Sequence, residues 1–391
     1  MLRVILKKGR ETPVLRGHPW VFSGAIETVE GDPQAPDTAD VYDAGGDWLA
    51  RGLFSPKSQI RVRIVTWRDV PVDRDFFADR FARALTVRVN YLSPATNAYR
   101  LINGEGDFLP GLVVDRYADF LVCQFITSGM ELFKATVVDC LAAMTSAKGI
   151  FERSEGRARS EEGLEASVGT LSGEAPPELL PIKEHGLQFM VDLRRGQKTG
   201  FFLDQRENRQ FLSSLAQNAT VLNCFSYSGA FSVYALRGGA REVISVDSSR
   251  PALELAEHNL ELNGFAGAAS ELIQGDAFAY LKETQSLFDL IVLDPPSLAR
   301  KRSDLTAAAG GYKYLNLHAL RHLKPGGILF TFSCSQHISL DLFQKVVFGA
   351  AVDAGRKVSV LKRLGHALDH PVSLHHPEGE YLKGLALNIL D

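Results

Sequence analysis

The run Val221-Leu222-Asn223-Cys224-Phe225 passes directly into Ser226-Tyr227-Ser228-Gly229 and then into Ala230-Phe231, where a helical pattern begins. A short, almost continuously apolar run reads as a strand covered on both faces. The glycine after it lets the backbone pass close to a ligand. The pattern recurs downstream. Strands are expected at Val243 to Val246, Glu271 to Gln274, Asp289 to Leu293 and Ile328 to Phe332, the last after a turn at Lys324-Pro325-Gly326-Gly327. Helices are expected at Phe231 to Leu236 and Arg250 to Asn263. Apolar runs alternating with helices in this way imply βαβ units, and therefore an α/β, Rossmann-like, doubly wound parallel sheet. Ligands of such sheets sit at the carboxyl ends of the strands, near the point where strand order reverses.

The residues at those ends narrow the chemistry. Asp247 closes the second strand 18 residues after Gly229, where a carboxylate accepts hydrogen bonds from ribose hydroxyls. Asp276, after the third strand, suits an adenine amino group. There is no GxGxxG, so a dinucleotide is not favoured. Either acid taken singly also fits a loop-end cap. Asp294-Pro295-Pro296 and Ser333-Cys334-Ser335 follow two further apolar runs. A nucleotide-type cofactor beside a thiol suggests a covalent reaction.

At 391 residues, 45% hydrophobic and 23% charged, the chain is long enough for two or three domains. Three regions are expected, at residues 1–70, 71–186 and 187–391. The first alternates β-rich runs with turns, as in a small barrel, and is basic. Lys7, Lys8 and Arg16 stand near its start, and Arg61 and Arg63 share one strand face near its end, a stripe suited to phosphate contacts or simply to solvent. The second reads as a middle α/β domain: a helix from Phe76 to Leu92, a hairpin of Gly111 to Arg116 with Phe120 to Phe125, and a helix from Met130 to Met144. Ser154 to Leu180, rich in Glu, Gly, Ser and Pro, reads as a mobile excursion. This domain is a candidate for homodimerisation.

No apolar run reaches the roughly 18 residues of a membrane span, and no secretory leader is evident, so no membrane association and a cytoplasmic location are expected. Cys123, Cys140, Cys224 and Cys334 lack metal or disulfide spacing; Cys224, inside its strand, reads as packing. The four histidines His366, His370, His375 and His376 are expected to be loop residues facing solvent or a bound polyanion rather than metal ligands. A net charge of −3 leaves any polyanion binding to local patches.

Asn223 to Gly229, with Asp247, Asp276 and Asp294-Pro295-Pro296-Ser297, is similar to the S-adenosylmethionine site of class I methyltransferases. With Gly196 to Arg206 and Ser333-Cys334-Ser335, it resembles the bacterial 23S ribosomal RNA cytosine-C5 methyltransferase family. Gly17 to Phe22 and Ser58 to Arg63 resemble that family's N-terminal PUA domain. Ser228 stands where the family pattern has Thr, which keeps a hydroxyl. The resemblance implies S-adenosylmethionine as cofactor, held by Phe225, Tyr227, Ser228, Gly229, Asp247, Asp276, Asp294 and Gln205. It also implies ribosomal RNA as partner, met by Lys7, Lys8, Arg16, Arg61, Arg63 and Lys198. Lys198 and Gln205 flank a Gly-rich turn from which either can reach cofactor or RNA.

Cytosine C5 is a poor nucleophile until electron density is pushed onto it. A thiolate adding at C6 does this, which gives Cys334 a role and makes Asp294 a partner for the N3 or amino edge of the base. Two alternatives stay open from sequence. One is a base N-methyltransferase using the Asp-Pro-Pro turn, with Cys334 dispensable. The other is a non-catalytic RNA-binding assembly factor.

Overall fold

The computed structural model describes residues 1–265, 267, 269–299 and 301–391. The chain divides into two compact units. Residues 1–185, 191–201 and 368–379 form the first, and residues 186–190, 202–367 and 380–391 the second.

In the first unit the N-terminal region is a six-stranded sheet in the order Trp20–Phe22, Ile60–Thr66, Trp48–Phe54, Asp37–Tyr42, Leu2–Leu6, Ile26–Glu30. Leu2, Val4 and Leu6 alternate inward and meet Val41, Ala50, Val62 and Ile64 in one core. A five-stranded sheet follows, in the order Ser167–Gly173, Gly149–Ser154, Phe120–Phe125, Leu112–Tyr117, Ala98–Asn103. Two helices, Arg74–Tyr91 and Lys134–Thr145, place Phe77, Phe81, Val137 and Leu141 in the core of that region. Residues 368–379 belong to this unit for an electrostatic reason. The buried Arg88 pairs with Asp107 at 2.6 Å and donates to the Asp369 carbonyl at 2.8 Å, while the Asp369 carboxylate accepts from Arg100 N at 2.8 Å.

The segment from Ser154 to Leu180 is ordered, contrary to the expectation of a mobile excursion. It holds the helix Arg157–Glu161 and the strand Ser167–Gly173. The cause is long-range. Arg159, buried, donates to the Phe125 carbonyl and pairs with Glu131 at 2.8 Å, and Ser167 Oγ donates to Glu152 at 2.9 Å.

The second unit carries a seven-stranded sheet: β1 Thr220–Cys224, β2 Glu242–Asp247, β3 Ser270–Gln274, β4 Phe288–Leu293, β5 Leu323–Ser333, β6 Val358–Leu364 and β7 Lys383–Ile389. The spatial order is β3-β2-β1-β4-β5-β7-β6. The first five strands are parallel, as expected, and β7 is inserted antiparallel to both β5 and β6. Helices α1 Arg206–Ser213, α2 Ala230–Arg237, α3 Arg250–Leu262, α4 Ala277–Glu283, α5 Leu305–Arg321 and α6 Leu340–Ala354 complete the unit. Lys324 to Gly327 falls within the span of β5 but bulges out of the pairing with β4: the register passes from Leu323 opposite Phe288 to Ile328 opposite Leu290, with Gly326 at φ 75°, so the expected turn is present and regular pairing begins at Ile328. Order reverses between β1 and β4, so the carboxyl ends of those strands flank the switch point. Among the described residues no helix is long and apolar enough to cross a membrane.

Candidate active site

The turn after β1 is sharply wound. Phe225 (φ 59°), Tyr227 (φ 45°) and Gly229 (φ 74°) all sit at positive φ, a conformation that costs non-glycine residues of order 1–3 kcal/mol and clusters at ligand sites. Backbone hydrogen bonds hold it. Ser226 N donates to Val246 O at 3.1 Å and Gly229 N to Ser226 O at 2.9 Å. Asp247, at the end of β2, accepts from Tyr227 N at 2.8 Å through one oxygen and from Ser249 N at 2.9 Å through the other. Each carboxylate oxygen has two lone-pair directions, so acceptor capacity remains for a diol. Beneath the turn, Asn223 Nδ2 donates to Ser232 Oγ (2.9 Å), which meets Ser245 Oγ at 2.7 Å. Asn259 Nδ2 donates to the Ser228 carbonyl at 3.0 Å, which pins the turn to α3.

Gly229 has a second constraint. A Cβ there would lie 2.8 Å from the Ala256 Cβ. Gly229→Ala is therefore expected to cost about 1–3 kcal/mol from its positive φ, with crowding in addition. The check is the denaturant midpoint of the second unit's unfolding; an unmoved midpoint would contradict this account of the turn.

Asp276 lies at the end of β3 and caps α4, accepting from Ala279 N at 2.9 Å. It is exposed and keeps a further oxygen for a ligand. Phe225, after β1, and Phe278, in the first turn of α4, bring their ring centroids to 6.0 Å.

Asp294 follows β4 and Cys334 follows β5, two adjacent parallel strands. The Cys334 Sγ is 3.8 Å from the Pro295 carbonyl oxygen, which puts the thiol against the Asp-Pro-Pro turn. It is partly exposed, whereas Cys123, Cys140 and Cys224 are buried, and burial pushes the thiols of Cys123 and Cys224 far up. Ser335 ties the two loops together. Its Oγ meets Ser297 Oγ at 3.1 Å and Tyr312 OH at 2.9 Å and accepts from Ala299 N at 3.2 Å. Lys383 Nζ donates to the Ser335 carbonyl at 2.7 Å.

Gln205 is buried, and both ends of its amide are engaged: Nε2 donates to Asp294 at 3.0 Å, and Oε1 accepts from Asn208 at 2.6 Å. It orients the acid and does not reach outward, as the sequence had suggested it could. Asp204 accepts from Tyr381 OH at 2.6 Å and, through its carbonyl, from Ala367 N at 2.9 Å, closing its loop.

The basic residues separate. Lys7, Lys8 and Arg16 are exposed, and Arg61 is half-buried, donating to the Pro56 carbonyl with its guanidinium 5.9 Å from the Phe54 ring centroid. Arg63 does not stand with them: it is 8% exposed, pairs with Glu162 at 2.9 Å and donates to the Ile60 carbonyl at 3.2 Å. Period-2 spacing placed Arg61 and Arg63 on one face, and that face is covered at Arg63. Lys198 is exposed at φ 52° and belongs to the first unit. The late histidines do not form a solvated group, since His370 and His376 are 3% and 4% exposed. His366, in the second unit, accepts from Leu382 N at 3.0 Å.

Asn208, Asn259, Tyr312, Ser335 and Lys383 hold this site together and were not singled out from sequence. Only Ser335 stood inside a recognised motif. The partners of the others come from distant segments.

The donor set fits an adenosyl group. Carboxylates end β2 and β3, aromatic rings follow β1 and open α4, and the buried Ser226 hydroxyl in the turn lacks a hydrogen-bond partner among the described residues. The comparisons agree. A model of S-adenosylmethionine-dependent methyltransferases matches residues 127–363, and a PUA-like domain model matches residues 4–67. A protein from Streptococcus mutans described as a SAM-dependent methyltransferase superposes with a TM-score of 0.85 at 25% identity, covering 99% of this chain and 100% of its own. A second solved structure, described as a methyltransferase complexed with SAH, gives 0.87 at 26% identity, with the same shares covered. Fold and site thus define an S-adenosylmethionine-dependent methyltransferase with a PUA-like N-terminal domain.

The closer kinship is more particular. The chain is 46% identical to ribosomal RNA large subunit methyltransferase I of Erwinia tasmaniensis, over an alignment of 395 positions that spans all of both proteins. It is 46% identical over 389 residues, 98% of each, to the protein of that name from Aeromonas salmonicida. It belongs to the ribosomal RNA large subunit methyltransferase I family.

Proposed function

We propose that this protein methylates C5 of a cytosine in large-subunit ribosomal RNA, through a transient bond between Cys334 and C6 of the base. The observation that carries the reading is the partly exposed residue Cys334, whose sulfur lies 3.8 Å from the Pro295 carbonyl next to Asp294 in the chain, at the sheet edge that holds Asp247 and Asp276. The relatives' names supply the RNA class.

S-adenosylmethionine supplies an electrophilic methyl carried on a sulfonium, and Phe225, Tyr227, Ser228, Gly229, Asp247 and Asp276 would hold its adenosyl and amino-acid parts. The Cys334 thiolate adds to C6, forming the S–C6 bond and moving the C5–C6 π pair onto C5. C5 would take the methyl, leaving the donor as its neutral thioether; water takes the C5 proton, and the C5–H pair re-forms the C5–C6 double bond as the C6–S bond breaks and returns the thiolate. Asp294, oriented by Gln205, accepts from the base's amino group, or donates to N3 when protonated. Lys7, Lys8, Arg16, Arg61 and Lys198 are exposed or half-buried cations suited to RNA phosphates. A base reached in this way must be unpaired or turned out of its helix.

Mass spectrometry of large-subunit ribosomal RNA from cells lacking the protein tests the reading. One 5-methylcytidine should disappear and return on complementation. A vanished nitrogen-methylated base, with 5-methylcytidine intact, would overturn it.

A further inference from the structure

We propose that Lys383 is a positioning residue whose buried ammonium holds the Cys334 sulfur as the thiolate that attacks the base. This rests on Cys334 being the nucleophile.

Lys383 opens β7 directly across from Ser333, one residue before Cys334. It is 3% exposed, and its Nζ donates to two backbone carbonyls, Ser335 at 2.7 Å and Tyr381 at 2.8 Å. Both acceptors are neutral. An ammonium has three protons to place, and among the described residues no carboxylate forms an ion pair with this one. Burying an unpaired cation costs several kcal/mol, so a nearby anion is the arrangement that repays it. Two anionic candidates act on it. Burial presses Lys383 down to about 8, while the charges of Cys334 and Glu380 pull the other way. Glu380 is exposed at the surface, so its pull is weakened by water. Cys334 stands on the strand end that the lysine grips, while the Asp294 carboxylate at the neighbouring strand end opposes ionisation of the thiol, so the ammonium is the group that favours the thiolate.

Coupling of this kind is reciprocal: whatever an ionised Cys334 contributes to keeping Lys383 protonated, the protonated lysine returns to the thiolate. The geometry keeps the pair in register. Ser335, whose carbonyl fixes the ammonium, is itself fixed through its hydroxyl by Tyr312, Ser297 and the Ala299 N–H. Tyr312 stays neutral near physiological pH, since burial pushes its phenol up. Lys383 gives up no proton in this scheme; the thiol proton goes to solvent. The sign follows. The lysine carries its charge below about pH 8 and sheds it above, so support for the thiolate is greatest on the acidic side of that value.

The experiment is iodoacetamide alkylation of the purified full-length protein as a function of pH, with the Cys334 peptide followed by mass spectrometry; the other three cysteines are buried. In the wild type, half-maximal alkylation of Cys334 is expected at least one unit below the roughly 8.5 of a free thiol. Lys383→Met should move that midpoint up and slow alkylation at neutral pH about tenfold, while Lys383→Arg retains the low midpoint. A wild-type midpoint at or above the free-thiol value overturns the proposal by itself, even if Lys383→Met fails to fold. An unchanged midpoint in a Lys383→Met protein that still binds S-adenosylmethionine overturns it as well. Methylation activity of Cys334→Ala is read separately: turnover there would remove the nucleophile while leaving the thiol's ionisation as measured.

Discussion

Cys334→Ala should leave S-adenosylmethionine binding intact and reduce RNA methylation by roughly three orders of magnitude or more, the scale seen when a covalent nucleophile is removed. The separation follows from the fold. Cys334 ends β5 and touches the Asp294-Pro295 turn, while the acids assigned to the cofactor end β2 and β3. Removing a partly exposed sulfur opens no core cavity, and Ser335, which knits the two loops, stays in place. Calorimetry with the cofactor and a radiolabelled methyl-transfer assay on ribosomal RNA measure the two properties independently. Near wild-type turnover would mean that C5 is not activated by this thiol, and loss of cofactor binding would mean that the residue is structural.

Asp247→Ala should show the reverse pattern, with weak cofactor binding and a chemical step restored by excess cofactor. A carboxylate accepting from both ribose hydroxyls makes two charge-assisted hydrogen bonds of about 1.5–3 kcal/mol each. Allowing for partial replacement by water, the loss amounts to one to two orders of magnitude in affinity. The structure adds a second contribution. The same carboxylate anchors Tyr227 N at 2.8 Å and Ser249 N at 2.9 Å, so its removal also loosens a turn that holds Phe225 and Tyr227 at positive φ. Asp247→Asn tests the partition. It keeps one acceptor for the backbone and loses the charge, and should fall between wild type and alanine. Unchanged affinity in Asp247→Ala, by titration calorimetry, would show that the ribose lies elsewhere.

Much of the methyltransferase unit was legible in the sequence because buried parallel strands announce themselves locally. The run ending at Cys224, the Gly229 turn and the acids at Asp247 and Asp276 are all set by short-range pattern. What sequence could not supply was pairing between distant segments. The insertion of Lys383–Ile389 between two earlier strands, which brings Lys383 beside Ser333, depends on tertiary assembly. Arg63 shows the same limit from the other side: period 2 assigns a face, but not whether Glu162 will cover it. Segment 154–180 looked mobile because Gly, Ser and Glu dominate it, and Arg159 overrides that composition by reaching the Phe125 carbonyl and Glu131. His370 and His376 are buried for a comparable reason, one of them against the neighbouring Asp369.

The most direct measurement is covalent trapping on ribosomal RNA carrying 5-fluorocytidine, in which fluorine replaces the C5 proton and blocks release of the enzyme. With S-adenosylmethionine present, the wild-type protein should form a complex that survives denaturing electrophoresis, and its cross-linked peptide should contain Cys334. Efficient methylation of ordinary RNA without any trapped complex, or a cross-link at a different residue, would contradict a sulfur adduct at C6.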